Sequence, residues 1–162
     1  MKIGNVISAM ISYLKGNRHE VEHFLKVYAY AKAIGEMEGL DERSQQILEV
    51  AAVVHDIGIP RAIEKYGNDA GPYQEELGPG EARAMLEALG FDRALIERVC
   101  TLVGRHHSYE NVDGMDCRIL LEADYLVNAS HNGHKPEAIA AAKKSFFRTD
   151  AGIRFLKENF GV

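Results

Sequence analysis

Apolar residues in this chain recur three and four positions apart almost from end to end, while the alternation that marks strands is nearly absent. That period predicts an all-α fold, a single-domain helical bundle. A first helix spans roughly Ile3 to Lys15 and stops at Gly16-Asn17. A second runs from about Arg18 to Glu38 and stops at Gly39. A third follows an Asp41 N-cap and ends near His55-Asp56, closed by Gly58 and Pro60. Later helices are expected over Gly80 to Leu89, from an Asp92 cap to His107, over Cys117 to Ser130, from Pro136 to Phe147, and from a Thr149 or Asp150 cap to just before Gly161. Between Pro60 and Gly80 lie Gly67, Gly71, Pro72, Gly78 and Pro79, which predict an irregular segment with a short helix near Arg61 to Tyr66. Long loops in compact domains are often functional, so the stretch from Gly67 to Gly80, with Tyr73, is the expected lid over a substrate.

No repeat, low-complexity tract or linker divides residues 1–162, and one domain is expected. A 46% hydrophobic, 27% charged chain has enough apolar surface for a real core. The net charge of -5 and pI near 5.8 argue against a nucleic-acid polymer as partner, which calls for a basic face. They leave room for a small phosphorylated molecule, which needs only a few local cations, and for a homo-oligomer. Met1 to Leu14 is interrupted by Gly4, Asn5, Ser8 and Ser12, so neither a membrane span nor a signal peptide is read there and a cytoplasmic protein is expected. Cys100 and Cys117 read as buried small hydrophobes in a reducing compartment rather than a disulfide.

Three apolar stripes carry polar residues where apolar ones belong. His23 heads the stripe of the second helix, His55 with Asp56 ends that of the third, and Asp124 lies inside the one formed by Leu120, Ala123 and Val127. A lone inward histidine is usually a satisfied core residue. A mid-helix aspartate is harder to explain, because burying an unpaired carboxylate costs several kcal/mol and no helix cap is within its reach; the ordinary account would pair Asp124 with Arg118. One shared divalent cation explains all three stripes together. Two imidazoles and two carboxylates suit iron, manganese, cobalt, nickel or zinc. Four protein ligands leave positions for water and substrate, whereas a structural zinc site is closed and richer in cysteine.

The string Val53-Val54-His55-Asp56-Ile57-Gly58 resembles the His-Asp doublet of the HD superfamily of metal-dependent phosphohydrolases, in its HDIG form. His23, opening a helix that ends in glycine, resembles the family's first histidine, and Leu121-Glu122-Ala123-Asp124-Tyr125-Leu126-Val127 its final aspartate. The resemblance covers about Glu20 to Asn128. It implies a bundle with a metal held by His23, His55, Asp56 and Asp124, and phosphate ester hydrolysis by a metal-activated water that Asp56 both helps bind and orients. Arg105-His106-His107 with Asp113-Gly114 further resembles the segment that helps hold a second metal in the HD-GYP branch. The tyrosine-proline part of that branch is missing, which disfavours cyclic dinucleotides. The further histidine of two-metal members is missing too; Glu75, Glu76 and Glu81 stand in that region, and Glu81 is the chosen substitute. Arg61, Lys65 and Arg105 are the candidate cations for substrate phosphate. His19, His131 and His134 read as solvent-facing. Two other readings stand beside the hydrolase: a di-iron oxygenase on the same scaffold, and a non-catalytic metal-stabilised module that binds a nucleotide or protein partner.

Overall fold

The computed structural model describes residues 2–162, and among these there are nine helices and no strand. They are α1 Ile3–Tyr13, α2 Arg18–Met37, α3 Glu42–Val54, α4 Ile59–Tyr66, α5 Gly71–Ala88, α6 Arg93–Val103, α7 Met115–His131, α8 Pro136–Ser145 and α9 Asp150–Phe160. The starts follow local chemistry. Asn17, Asp41, Asp92 and Thr149 each turn a side-chain oxygen onto a first-turn N–H, and Pro136 occupies the first turn of α8. Gly67 and Gly161 end α4 and α9 in the left-handed conformation that glycine adopts without penalty.

The middle of the bundle is built by α2, α3 and α7 packing on one another, with α6 against α3 and α5 against α6. Nearly every residue of α7 from Asp116 to Val127 is buried, so this helix is wrapped on all sides and any polar group on it has to be satisfied inside the protein. Cys100 and Cys117 are buried and unpaired, and burial pushes both thiols up.

The expected lid does not exist. Residues 71–88 form one continuous helix, α5, that runs through Gly78, Pro79 and Gly80, and only residues 67–70 separate it from α4. Pro72 sits in its first turn, where a missing N–H costs nothing. Pro79 does remove one helical bond, but the helix is clasped there on two sides. A Cβ on Gly58 would lie 2.8 Å from the Gly78 nitrogen, one on Gly78 would lie 2.8 Å from Val103 Cγ1, and one on Gly104 would meet the Pro79 ring at 3.3 Å. These glycines let helices touch; they are not hinges. The helix expected to reach His107 ends at Val103 instead, and residues 104–107 turn back on themselves.

Candidate metal centre

The end of α3 brings His55 and Asp56 to the centre on a turn. His55 Nδ1 donates to the Ala52 carbonyl at 2.8 Å, which fixes the tautomer and leaves the Nε2 lone pair facing inward. Phe24, the residue after His23, packs its ring 5.2 Å from that of His55, so the α2 register that buries Phe24 also aims His23 at the doublet. Asp124 enters from the middle of α7 and is buried.

The inward atoms of these four side chains converge. His23 Nε2 lies 3.1 Å from His55 Nε2, 3.2 Å from Asp56 Oδ2 and 3.2 Å from Asp124 Oδ1; His55 Nε2 lies 3.3 and 3.4 Å from the same two oxygens. A point equidistant from atoms so spaced is about 2 Å from each, the length of a metal–nitrogen or metal–oxygen bond. Asp124 Oδ1 is fully buried yet has no hydrogen-bond partner among the described residues, which is the signature of a group whose proper partner is a cation. Arg118, the ordinary partner for Asp124, instead donates to the Phe146 carbonyl at 2.9 Å. The donor set and spacing therefore fit a divalent ion.

The charges of the four side chains are coupled to one another. Burial would raise the Asp56 carboxyl, but the charge of His55 and bonds from His106, His23 and His55 hold it well below the usual carboxylate range. Asp124 is likewise raised by burial but brought down further by His23 and His55. Burial would lower both imidazoles, yet Asp56 and Asp124 outweigh it and raise His23, and His55 more strongly. The two carboxylates thus favour the charged form of both imidazoles.

A second group adjoins the first through Asp56, whose Oδ1 points away from it. His106 Nδ1 lies 2.7 Å from the Val103 carbonyl oxygen, and its Nε2 lies 2.7 Å from Asp56 Oδ1. His107 Nε2 lies 3.8 Å from the same oxygen. Asp56, His106 and His107 could hold a further ion. Burial and the neighbouring His106 push His107 down. The buried Gln74 of α5 reaches His107 Nε2 with Oε1 at 3.1 Å, and Glu75 accepts from the His107 N–H at 3.0 Å.

The other predicted residues lie elsewhere. Glu81 accepts from the Tyr13 hydroxyl at 2.9 Å and pairs with Arg61 at 3.2 Å, outside both groups. Arg61 also bonds Glu64, and Lys65 bonds Glu76, both on exposed surface. Arg105 is exposed, has no carboxylate partner among the described residues, and lines a cleft of about 700 Å³ with Ser108 and Tyr109. His19 is exposed and rests its ring 4.5 Å from that of His131. Gln74 was not singled out from the sequence, because its position was read as loop. Glu20 was also passed over; its side chain is 14% exposed, one turn ahead of His23.

Fold and site together define an all-helical protein with a group of side chains that could hold a metal ion where α2, α3 and α7 meet, beside the turn that follows α6. The chain belongs to the HD domain family: the family's model matches residues 21–150, which includes every residue of both groups. Proteins of this superfamily are typically metal-dependent hydrolases. The fold is similar to that of the crystal structure of a predicted HD superfamily hydrolase from an uncultured Thermotogales bacterium, at TM-score 0.68 and 21% identity, covering 96% of this chain and 83% of that one. No curated protein matches the chain. Among the described residues, no helix is long and apolar enough to cross a membrane.

Proposed function

We propose that this protein is a phosphohydrolase that cleaves the phosphate ester of a small molecule, such as a nucleotide or another phosphomonoester, and not a nucleic-acid polymer. The observation that carries this reading is the division of labour within Asp56. Its Oδ2 belongs with His23, His55 and Asp124, while its Oδ1 faces His106 and His107. A carboxylate so shared could serve both groups of side chains that could hold a cation, and a phosphoryl group has several charged oxygens that need such neutralisation.

His23, His55, Asp56 and Asp124 would hold a divalent ion, which would supply water activation and Lewis-acid chemistry at the phosphate ester. The chain's own residues do the rest. Asp56, gripped by His106, is fixed in orientation, so the water-directing oxygen does not swing. The Ala52 carbonyl holds the His55 ring in one tautomer, and the Val103 carbonyl fixes the orientation of the His106 ring. Burial of Asp56, Asp124, His55 and His106 strengthens every charge interaction around the reacting group. Of the three candidate cations, Arg61 and Lys65 are engaged by glutamates, so the reading assigns the substrate's remaining charge to Arg105.

The test is metal analysis of the purified protein, followed by phosphate release from a panel of phosphomonoesters with manganese, cobalt, nickel, zinc or magnesium. Ion-dependent release that disappears in Asp124→Ala supports the proposal. No release, together with oxygen uptake on a polyol or phosphonate, would favour an oxygenase. Tight nucleotide binding without turnover would favour a binding module.

A further inference from the structure

Arg105 and Ser108 flank His106 and His107 in the sequence, and both line the cleft of about 700 Å³ whose other walls are Gly104, Tyr109, Glu110 and Asn111. That volume suits a small molecule. The cleft begins where the second group ends. Consecutive Cα atoms are about 3.8 Å apart, so the Cα of Tyr109 is at most about 7.6 Å from that of His107, whose Nε2 lies 3.8 Å from Asp56 Oδ1. Glu75 accepts from both the Ser108 hydroxyl and the His107 N–H at 3.0 Å, which ties the cleft wall to the histidine. Beyond Asn111, Arg98 donates to the Asp113 carboxylate at 3.0 Å and to its carbonyl at 2.6 Å, so the loop is held at both ends. The Tyr109 ring lies 4.4 Å from that of Phe146, which packs edge-on at 5.2 Å against Tyr125, the residue after Asp124. Phe146 backs one side of Tyr109, no second ring covers it among the described residues, and the residue is left 40% exposed. The side chains of Arg105 and Asn111 make no hydrogen bond among the described residues.

A guanidinium, an open aromatic face and an unengaged amide therefore meet in one cleft beside His107. A guanidinium suits a phosphate oxygen, an open ring suits a flat ring stacked on it, and an amide offers both a donor and an acceptor to the edge of such a ring. We propose that Tyr109 determines specificity, as the platform on which a flat heteroaromatic ring of the leaving alcohol stacks while the phosphate lies toward Asp56. The substrate is then a phosphate ester of a ring-bearing alcohol, as in a nucleoside monophosphate, and not of a plain alkyl alcohol. This rests on the phosphohydrolase reading. Tyr109 takes no part in making or breaking bonds; it holds the ester, so its loss falls on binding more than on turnover.

Phosphate release by metal-loaded wild type and Tyr109→Ala is compared on adenosine monophosphate and on glycerol phosphate, which has no ring. The expected result is a KM for adenosine monophosphate raised about tenfold or more, the scale of one base stacked on one aromatic side chain. The change in kcat is smaller than that in KM, and the change on glycerol phosphate is smaller than both. Tyr109→Phe is expected to restore the low KM, because a ring without its hydroxyl still stacks. Equal rises on the two esters, no rise, or a Tyr109→Phe as poor as Tyr109→Ala overturn the assignment. A second readout needs no turnover. The chain has no tryptophan, so Tyr109→Trp places a lone fluorescent reporter in the cleft. Adenosine monophosphate is expected to quench it and glycerol phosphate to quench it far less; no quenching, or equal quenching by both, overturns the stacking. A wild type that releases no phosphate from either ester while the reporter is quenched overturns the phosphohydrolase reading and upholds the platform. An active wild type with equal KM changes overturns only the role of Tyr109.

Discussion

Asp124 is the residue whose environment makes least sense without an ion, since one of its oxygens is buried and unpartnered in the middle of a helix. His55→Ala or Asp124→Ala is expected to abolish stoichiometric metal, as read by elemental analysis, and with it activity, whereas His131→Ala, on exposed surface, retains both. Protonation gives a second handle. His23 and His55 are raised above the ordinary imidazole value of 6.5, and an ion binds only when they release their protons. Metal affinity, measured by competition with a chelator, therefore rises as pH rises through their folded range. The same groups shape the stability of the metal-free chain. Raised histidines contribute stability that is full below 6.5 and is lost as pH climbs through their folded values. Lowered carboxylates contribute stability that is present above 3.8 and is lost as pH falls through theirs. The metal-free protein is thus expected to lose thermal stability on the alkaline side, and the metal-loaded protein to lose less, by calorimetry across pH.

Among the elements, α5 shows what could and could not be read in advance. A helix needs apolar periodicity and tolerant residues, and Gly71 through Gly80 offers glycines and prolines, so local rules read it as loop. Its helicity is imposed from outside, by Gly58 and Val103 pressing on Gly78. Such a contact pairs residues far apart in the sequence and leaves no local trace. For that reason Gln74 was not legible, Glu81 was preferred to the Glu75 that bonds the His107 N–H, and the lid was expected where a wall stands. The convergence of His23, His55-Asp56 and Asp124 was legible, because each residue breaks an apolar stripe that is itself local. Gly58→Ala puts a methyl 2.8–3.0 Å from α5 backbone atoms, which cannot rotate away. It is expected to destabilise the fold by about 1–3 kcal/mol in chemical denaturation, like other overpacked sites.

For the molecule as a whole, an ion bound by helices from three parts of the chain stabilises only the folded state. Stripping it with a chelator is expected to lower Tm, and restoring free metal at about 100 times Kd should return about 2.7 kcal/mol. The C-terminal helix shares in this although it supplies no ligand. Glu38, at the end of α2, accepts the Ala151 N–H at 2.7 Å, and Glu122, two residues from Asp124 on α7, accepts the Arg148 and Thr149 N–H groups at 2.6 and 3.1 Å. The helices that present His23 and Asp124 are thus both pinned to one short stretch of main chain. That stretch acts as an outer brace: cutting the polypeptide ahead of it would remove the tie across two jaws of the grip while every jaw tooth remained in place.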